Sequence, residues 1–153
     1  MSKHFSLQPL VHLARQKHDA AIKKLGLLNH NQQTAQGKLD MLQQYRKDYQ
    51  AKMHEAEKGG MTLEDLRNYQ DFIYRLDDAI KQQTAVVAQA QVSVQNGRGE
   101  LTETQRRMKS FDTLAQRHSE TERKLEAKIE QKMQDEHNGR RAAYHNTAHS
   151  EEN

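Results

Sequence analysis

A single Gly59-Gly60 pair separates two long stretches in which apolar residues recur at alternating steps of three and four. A 3.5-residue spacing keeps one stripe of a helix turned toward a partner helix along its whole length. Before the glycines the stripe reads Leu7, Val11, Ala14, His18, Ala21, Leu25, Leu28, Gln32, Ala35, Leu39, Leu42, Arg46, Tyr49 and Met53, eleven of fourteen apolar. After them it reads Leu66, Tyr69, Ile73, Leu76, Ile80, Gln83, Val87, Ala90, Val94, Gly97, Leu101, Thr104, Met108, Phe111, Ala115, His118, Glu122, Leu125, Ile129 and Lys132, fourteen of twenty apolar. The positions between are mostly Lys, Arg, Glu, Asp and Gln, which suits a solvated outer face. The expected fold is therefore all-α: a long antiparallel two-helix coiled-coil hairpin, the second helix longer than the first. Such a hairpin has little interior in which to enclose a substrate, so its function should lie in what it touches.

Composition narrows the classes further. Only 34% of the 153 residues are hydrophobic, enough for a narrow seam and too few for a globule covered on both faces. The one proline, Pro9, stands near the start, so nothing after it interrupts a long helix. The chain has no cysteine, which excludes disulfides, zinc–thiolate sites and a cysteine nucleophile and makes a reducing cytoplasm the expected home. No apolar run approaches the roughly 18 residues of a membrane span, and no charged start leading into an apolar stretch marks a signal peptide; direct membrane insertion is not expected. The 24 basic residues are interleaved with 21 acidic ones for a net charge of +3, which argues against a nucleic-acid partner. A glycine-rich phosphate loop, GxSxG, HExxH and CxxC are all missing. The sequence reads as that of a protein that is not an enzyme and takes no cofactor.

Local signals divide the chain. Residues 1–5 read as a disordered start. Ser6 is placed as the N-cap of a first coiled-coil helix over 6–57, with Pro9 in its first turn, where a missing N–H costs little. The turn is 58–61: Lys58 complements the helix C-terminus, and Gly59 or Gly60 takes the left-handed position after it. Thr62 caps a second coiled-coil helix over 62–136, with Asp65 in capping-box spacing and Glu64 in the first turn. At about 1.5 Å per residue the helices span about 75 Å and about 110 Å. A hairpin centred near Gly60 places Leu7 opposite roughly position 112. The stretch 114–136 then extends past its partner, and its stripe of Leu125, Ile129 and Met133 is expected to be exposed in the monomer. Gly97 falls on the seam, where it is expected to leave a gap, with Gly99 beside it and Gly26 at a similar level. Each helical glycine costs about 1 kcal/mol relative to alanine, so the pair reads either as a flexible waist or as two tolerated glycines. Residues 137–153 lack periodicity and read as a disordered tail.

Five of the eight aromatic residues, Tyr45, Tyr49, Tyr69, Phe72 and Tyr74, lie near the turn. Tyr49 and Tyr69 are on the seam and the other three are not. The cluster is either an exposed contact patch or a wrap that stiffens the turn. His145 and His149 are four apart, yet neither cysteine nor a placed carboxylate completes a metal site, so a solvated tail and no metal are expected. His18 and His118 read as seam residues that tune register. Arg106-Arg107 and Arg123-Lys124 read as solvated flanks.

The stretch Tyr45-Arg46-Lys47-Asp48-Tyr49, the Gly59-Gly60 turn, and Asn68-Tyr69-Gln70-Asp71-Phe72-Ile73 with Leu76 and Ala79-Ile80 resemble the bacterial flagellar export family FliJ. Chain length and the hairpin also fit. Weaker likeness extends over most of the chain, through Leu25, Leu39, Met41, Leu42 and the Lys132-Met133-Asp135 region. The segment at the tip is the specific part, since heptads elsewhere belong to any coiled coil. The resemblance implies a stalk, coupling and chaperone-escort protein of the flagellar type III export apparatus, built like the rotor shaft of rotary ATP synthases. Its implied partners are the hexameric export ATPase, the cytoplasmic domain of the export-gate membrane protein, and export chaperones. It would be a monomer alone, cytoplasmic, and held peripherally at the inner membrane through the apparatus. Carried over residue by residue, the implied gate-binding tip is Lys38, Leu42, Tyr45, Tyr49, Phe72, Leu76, Ala79 and Gln83. Lys38 and Gln83 stand where some relatives have Gln and His, and Leu66 stands where relatives have Trp. The implied ATPase-ring surface is the open end, with Leu125, Ile129 and Met133. Two alternatives share the fold: the equivalent stalk of a virulence-type III secretion system, which the tip motif disfavours, and a coiled-coil adaptor that dimerises into a bundle.

Overall fold

The structure, a computed structural model, describes residues 7–151. Two helices, α1 (Gln8–Lys58) and α2 (Leu63–Glu151), account for nearly all of them, and no strand occurs among the described residues. The Leu7 carbonyl accepts the Val11 amide at 2.9 Å to open α1. The expected disordered start and the Ser6 cap lie outside the described residues.

The turn follows from its glycines and threonine. Gly59 donates to the Ala56 carbonyl at 3.2 Å and Gly60 to the Glu57 carbonyl at 3.4 Å. Gly60 has φ +83°, a left-handed conformation in which a Cβ meets the neighbouring carbonyl and which glycine adopts freely. Thr62 then restarts the chain: its hydroxyl accepts the Asp65 amide at 3.2 Å and its carbonyl accepts the Leu66 amide at 3.1 Å. Lys58 at the end of α1 and Glu64 and Asp65 at the start of α2 complement the two helix dipoles.

By packing, the chain resolves into two units, Arg15–Arg106 and Met1–Ala14 with Arg107–Asn153. The first is an antiparallel two-helix hairpin. Its best-covered residues are Ala21, Ala35, Leu39, Ile73, Leu76, Val87 and Val94, all at heptad positions. Ala35, Leu39 and Val87 form the core cluster, with Ile80 packed against it. Among the described residues no side chain is fully buried, because a two-helix seam is open along both flanks. Polar seam residues find partners across it. His18 Nδ1 lies 3.3 Å from Thr104 Oγ1, and Gln83 Nε2 donates to the Ala35 carbonyl at 2.9 Å. Arg46 Nε donates to Asp77 Oδ1. That hydrogen bond, and then the Asp77 charge, hold the guanidinium pKa above its ordinary value. No buried side-chain nitrogen or oxygen among the described residues lacks a partner, as stable packing requires.

In the other unit Val11 and Ala14 are buried and Leu7, Met108, Phe111, Ala115, His118 and Glu122 half-buried. From Arg123 to Ser150 every side chain is exposed. The burial pattern thus follows the heptads. All fourteen stripe residues before the turn, and the α2 stripe from Leu66 to Glu122, are buried or half-buried, whereas Leu125, Ile129 and Lys132 are exposed.

Three expectations need adjustment. The stretch expected to extend past its partner begins at 114, yet its stripe residues Ala115, His118 and Glu122 are half-buried, while Leu125, Ile129 and Met133 are exposed as expected. His118 Nε2 lies 3.2 Å from Glu122 Oε1, one helical turn away. The helix does not stop at Glu136 but continues to Glu151. Ala142, Ala143, Arg140 and Arg141 are strong helix formers and no proline intervenes, so local propensity carries the helix where no apolar stripe does. Lastly, Gly97 leaves no gap. A Cβ built there would lie 2.8 Å from Leu28 Cδ1 and 3.3 Å from Leu25 Cδ1, so these two leucines already occupy the space.

Candidate functional site

Two exposed apolar surfaces stand out, one in each unit. Near the turn, Tyr49 projects from the α1 seam onto α2. Its ring centroid lies 5.1 Å from that of Tyr69 and 4.3 Å from that of Phe72, with interplanar angles of 48° and 42°. Tilted aromatic contacts of this kind contribute about 0.5–1.5 kcal/mol each beyond burial, so the trio stiffens the hairpin. Phe72 keeps 41% of its surface exposed and Tyr45 keeps 55%. Both readings of the cluster therefore apply to different members: Tyr49 and Tyr69 wrap the seam, Tyr45 faces solvent, and Phe72 does both.

The two flanks of the seam can be told apart by the bonds that cross it. Lys24 Nζ pairs with Glu100 on one flank, at 3.1 Å from both carboxylate oxygens. Tyr45 lies three heptads after Lys24 and Phe72 four heptads before Glu100, so both belong to that flank. Arg46 and Asp77 bond across the other. Tyr74 is two residues from Phe72, about 200° round the helix, and its exposed ring is not part of the Tyr45–Phe72 surface.

The eight residues implied for the tip separate in the same way. Lys38, Tyr45 and Phe72 are exposed, Leu42, Tyr49, Ala79 and Gln83 half-buried, and Leu76 buried. Leu76 serves the seam, and Gln83 is engaged with the Ala35 carbonyl. The exposed part of this surface is Lys38, Tyr45, Phe72 and the edge of Ala79, held in place by Leu42, Tyr49, Leu76 and Gln83. Met41 and Val86, exposed at 51% each, flank this surface and were not among the residues expected there. The signal for them was present: Met41 is one turn before Tyr45, and Val86 two heptads after Phe72.

The second surface is on α2. Leu125, Ile129 and Met133 recur every four residues and so share one face. They are 55%, 59% and 66% exposed. Glu126, Lys128, Glu130 and Lys132 surround them with both signs of charge. His145 and His149 fall on helix, not on irregular tail; among the described residues no group of three histidine or acidic side chains converges to hold a metal ion. No helix among them is long and apolar enough to cross a membrane.

Comparison with known proteins agrees with this geometry. The family described as "Flagellar FliJ protein" matches residues 2–147. A flagellar FliJ protein of Escherichia coli K12 is 30% identical over 136 residues, 89% of this chain and 92% of that protein. One of Salmonella typhi is 29% identical over the same coverage.

Proposed function

The chain belongs to the flagellar FliJ family, and on that premise we propose that it is a non-enzymatic stalk and coupling protein of flagellar protein export. It joins the hexameric export ATPase to the cytoplasmic domain of the export gate, and it escorts export chaperones. The observation that carries this reading is the presence of two separate exposed apolar surfaces on an otherwise charged coiled coil. The tip surface supplies aromatic anchors, Tyr45 and Phe72, of the kind that dominate protein interfaces, and it receives the gate. The α2 stripe of Leu125, Ile129 and Met133 is a lone amphipathic helix, which gains stability from a partner that covers it; the ATPase ring supplies that cover. The flagellar names of both relatives favour the flagellar apparatus over a virulence-type system.

Two sets of substitutions test the division. Tyr45→Ala with Phe72→Ala should abolish binding to the gate domain and leave stimulation of ATP turnover intact. Leu125→Glu, Ile129→Glu and Met133→Glu together should do the reverse. The assignment fails if either set removes both activities or neither.

A further inference from the structure

We propose that the Lys24–Glu100 flank of the hairpin is a docking groove for an amphipathic helix of a partner protein, one with an apolar stripe bordered by acidic residues. The groove extends well beyond the tip. On α1, exposed Leu27 and Met41 are two heptads apart, and Tyr45 follows Met41 by four. Leu27 itself follows Lys24, which reaches across this flank to Glu100, by three. On α2, Phe72 and Val86 are two heptads apart, with half-buried Ala79 midway. Each set repeats at the three-, four- and seven-residue steps by which a third helix is read in a groove. Leu27 to Tyr45 covers about 27 Å, so a docked helix would be about 20 residues long.

Exposure decides that these are not seam residues: Leu27 is 62% exposed, and Met41 and Val86 51% each. The opposite flank is built otherwise. Beyond Ile22, its α1 row is Asn29, Gln36, Gln43 and Gln50 at heptad spacing, and it faces Gln70, Asp77, Thr84 and Gln91 on α2. A polar row of that kind offers an apolar partner nothing to bury.

Charge selects the occupant. From Lys17 to Tyr45 the α1 border of the groove carries Lys17, Lys24 and Lys38 and no acid. From Phe72 to Glu100 the α2 border carries Arg75 and one acid, Glu100, which is already bonded to Lys24. Acidic residues flanking a partner's apolar stripe would therefore meet unlike charge on both sides, whereas a basic helix would be repelled. A second copy of this same face would bring lysine against lysine, which disfavours self-pairing. The inference shares Lys38, Tyr45, Phe72 and Ala79 with the proposed gate-binding surface and rests on that reading only there.

The test uses the full chain and two fluorescent synthetic 21-residue helices with identical apolar heptads, one flanked by Glu and one by Lys, followed by anisotropy. The Glu-flanked helix should bind at least tenfold more tightly, and its affinity should fall as salt rises. Leu27→Glu with Val86→Glu should weaken it at least tenfold. Leu27→Gln with Val86→Gln, which adds no charge, should weaken it as well, with helicity by circular dichroism unchanged in both pairs. Ile22→Glu on the opposite flank should have no effect. The proposal is overturned if neither helix binds, if both bind equally, or if only Leu125, Ile129 and Met133 substitutions matter. It is also overturned by sedimentation showing a dimer that the Leu27 and Val86 substitutions dissolve, or by binding of phosphatidylglycerol vesicles through these residues in place of the helix. Loss of gate binding on Tyr45→Ala with Phe72→Ala is a separate readout, so either reading can fail alone.

Discussion

Ile73 and Leu76 in the hairpin unit, and Leu125 and Ile129 farther along α2, continue one heptad register. The first two are 9% and 8% exposed and the second two 55% and 59%. A heptad pattern states which face of a helix seeks cover; it does not state where the cover comes from. Here the difference follows from length, since α1 has 51 residues and α2 has 89. The covered part of the register holds the molecule together, and the uncovered part is available for assembly.

The largest test of that difference is truncation at equivalent positions. Leu76→Ala should destabilise the hairpin by about 2 kcal/mol or more, whereas Leu125→Ala should change stability by less than about 0.5 kcal/mol, both read by urea unfolding followed through helicity. Equal losses would mean that α2 beyond Glu122 is covered in solution. Next is the turn that brings α1 back onto α2. Gly60→Ala forces a side chain into φ +83° and should cost about 1–2 kcal/mol in the same experiment; no loss would mean that the turn tolerates another conformation. A finer probe compares Gly97, which touches the seam, with Gly99, which does not. Gly99→Ala meets nothing within 4 Å and should stabilise by about 1 kcal/mol through helix propensity. Gly97→Ala must displace methyls of Leu25 and Leu28, so it should fall about 1 kcal/mol short of that gain; equal gains would show that the seam is loose there. The smallest effect belongs to the flank. Lys24 and Glu100 are both more than half exposed, so Lys24→Ala should cost less than about 0.5 kcal/mol, and added salt should erase the difference in melting temperature from the parent chain.

Most of this architecture was readable from spacing. Every seam position as far as Glu122 follows from counting by sevens, and Gly60, Thr62 and Asp65 mark the turn through their backbone and capping chemistry. What spacing does not encode is what fills a given space. Gly97 reads as a gap until Leu25 and Leu28 are seen to occupy it. Spacing puts Gln83 on the seam, and only the structure shows its amide on the Ala35 carbonyl. Tyr74 groups with Tyr45 and Phe72 by proximity in sequence, and only bonds across the seam reveal which flank is which. Periodicity gives no sign that α2 continues past Glu136, because Ala142 and Ala143 extend a helix by propensity without any stripe. At the tip, Tyr45 and Phe72 were legible as off-seam aromatics, but Leu27, Met41 and Val86 emerge only once a second, exposed stripe is sought beside the first.

The most direct test of the division between covered and uncovered register is amide hydrogen exchange along α2, with and without the cognate flagellar export ATPase. Residues 73–104 should exchange slowly in both states. Residues 123–136 should exchange rapidly in the chain alone and become protected when the ATPase is added. Slow exchange at 123–136 in the chain alone, or exchange there that the ATPase leaves unchanged, would contradict the account.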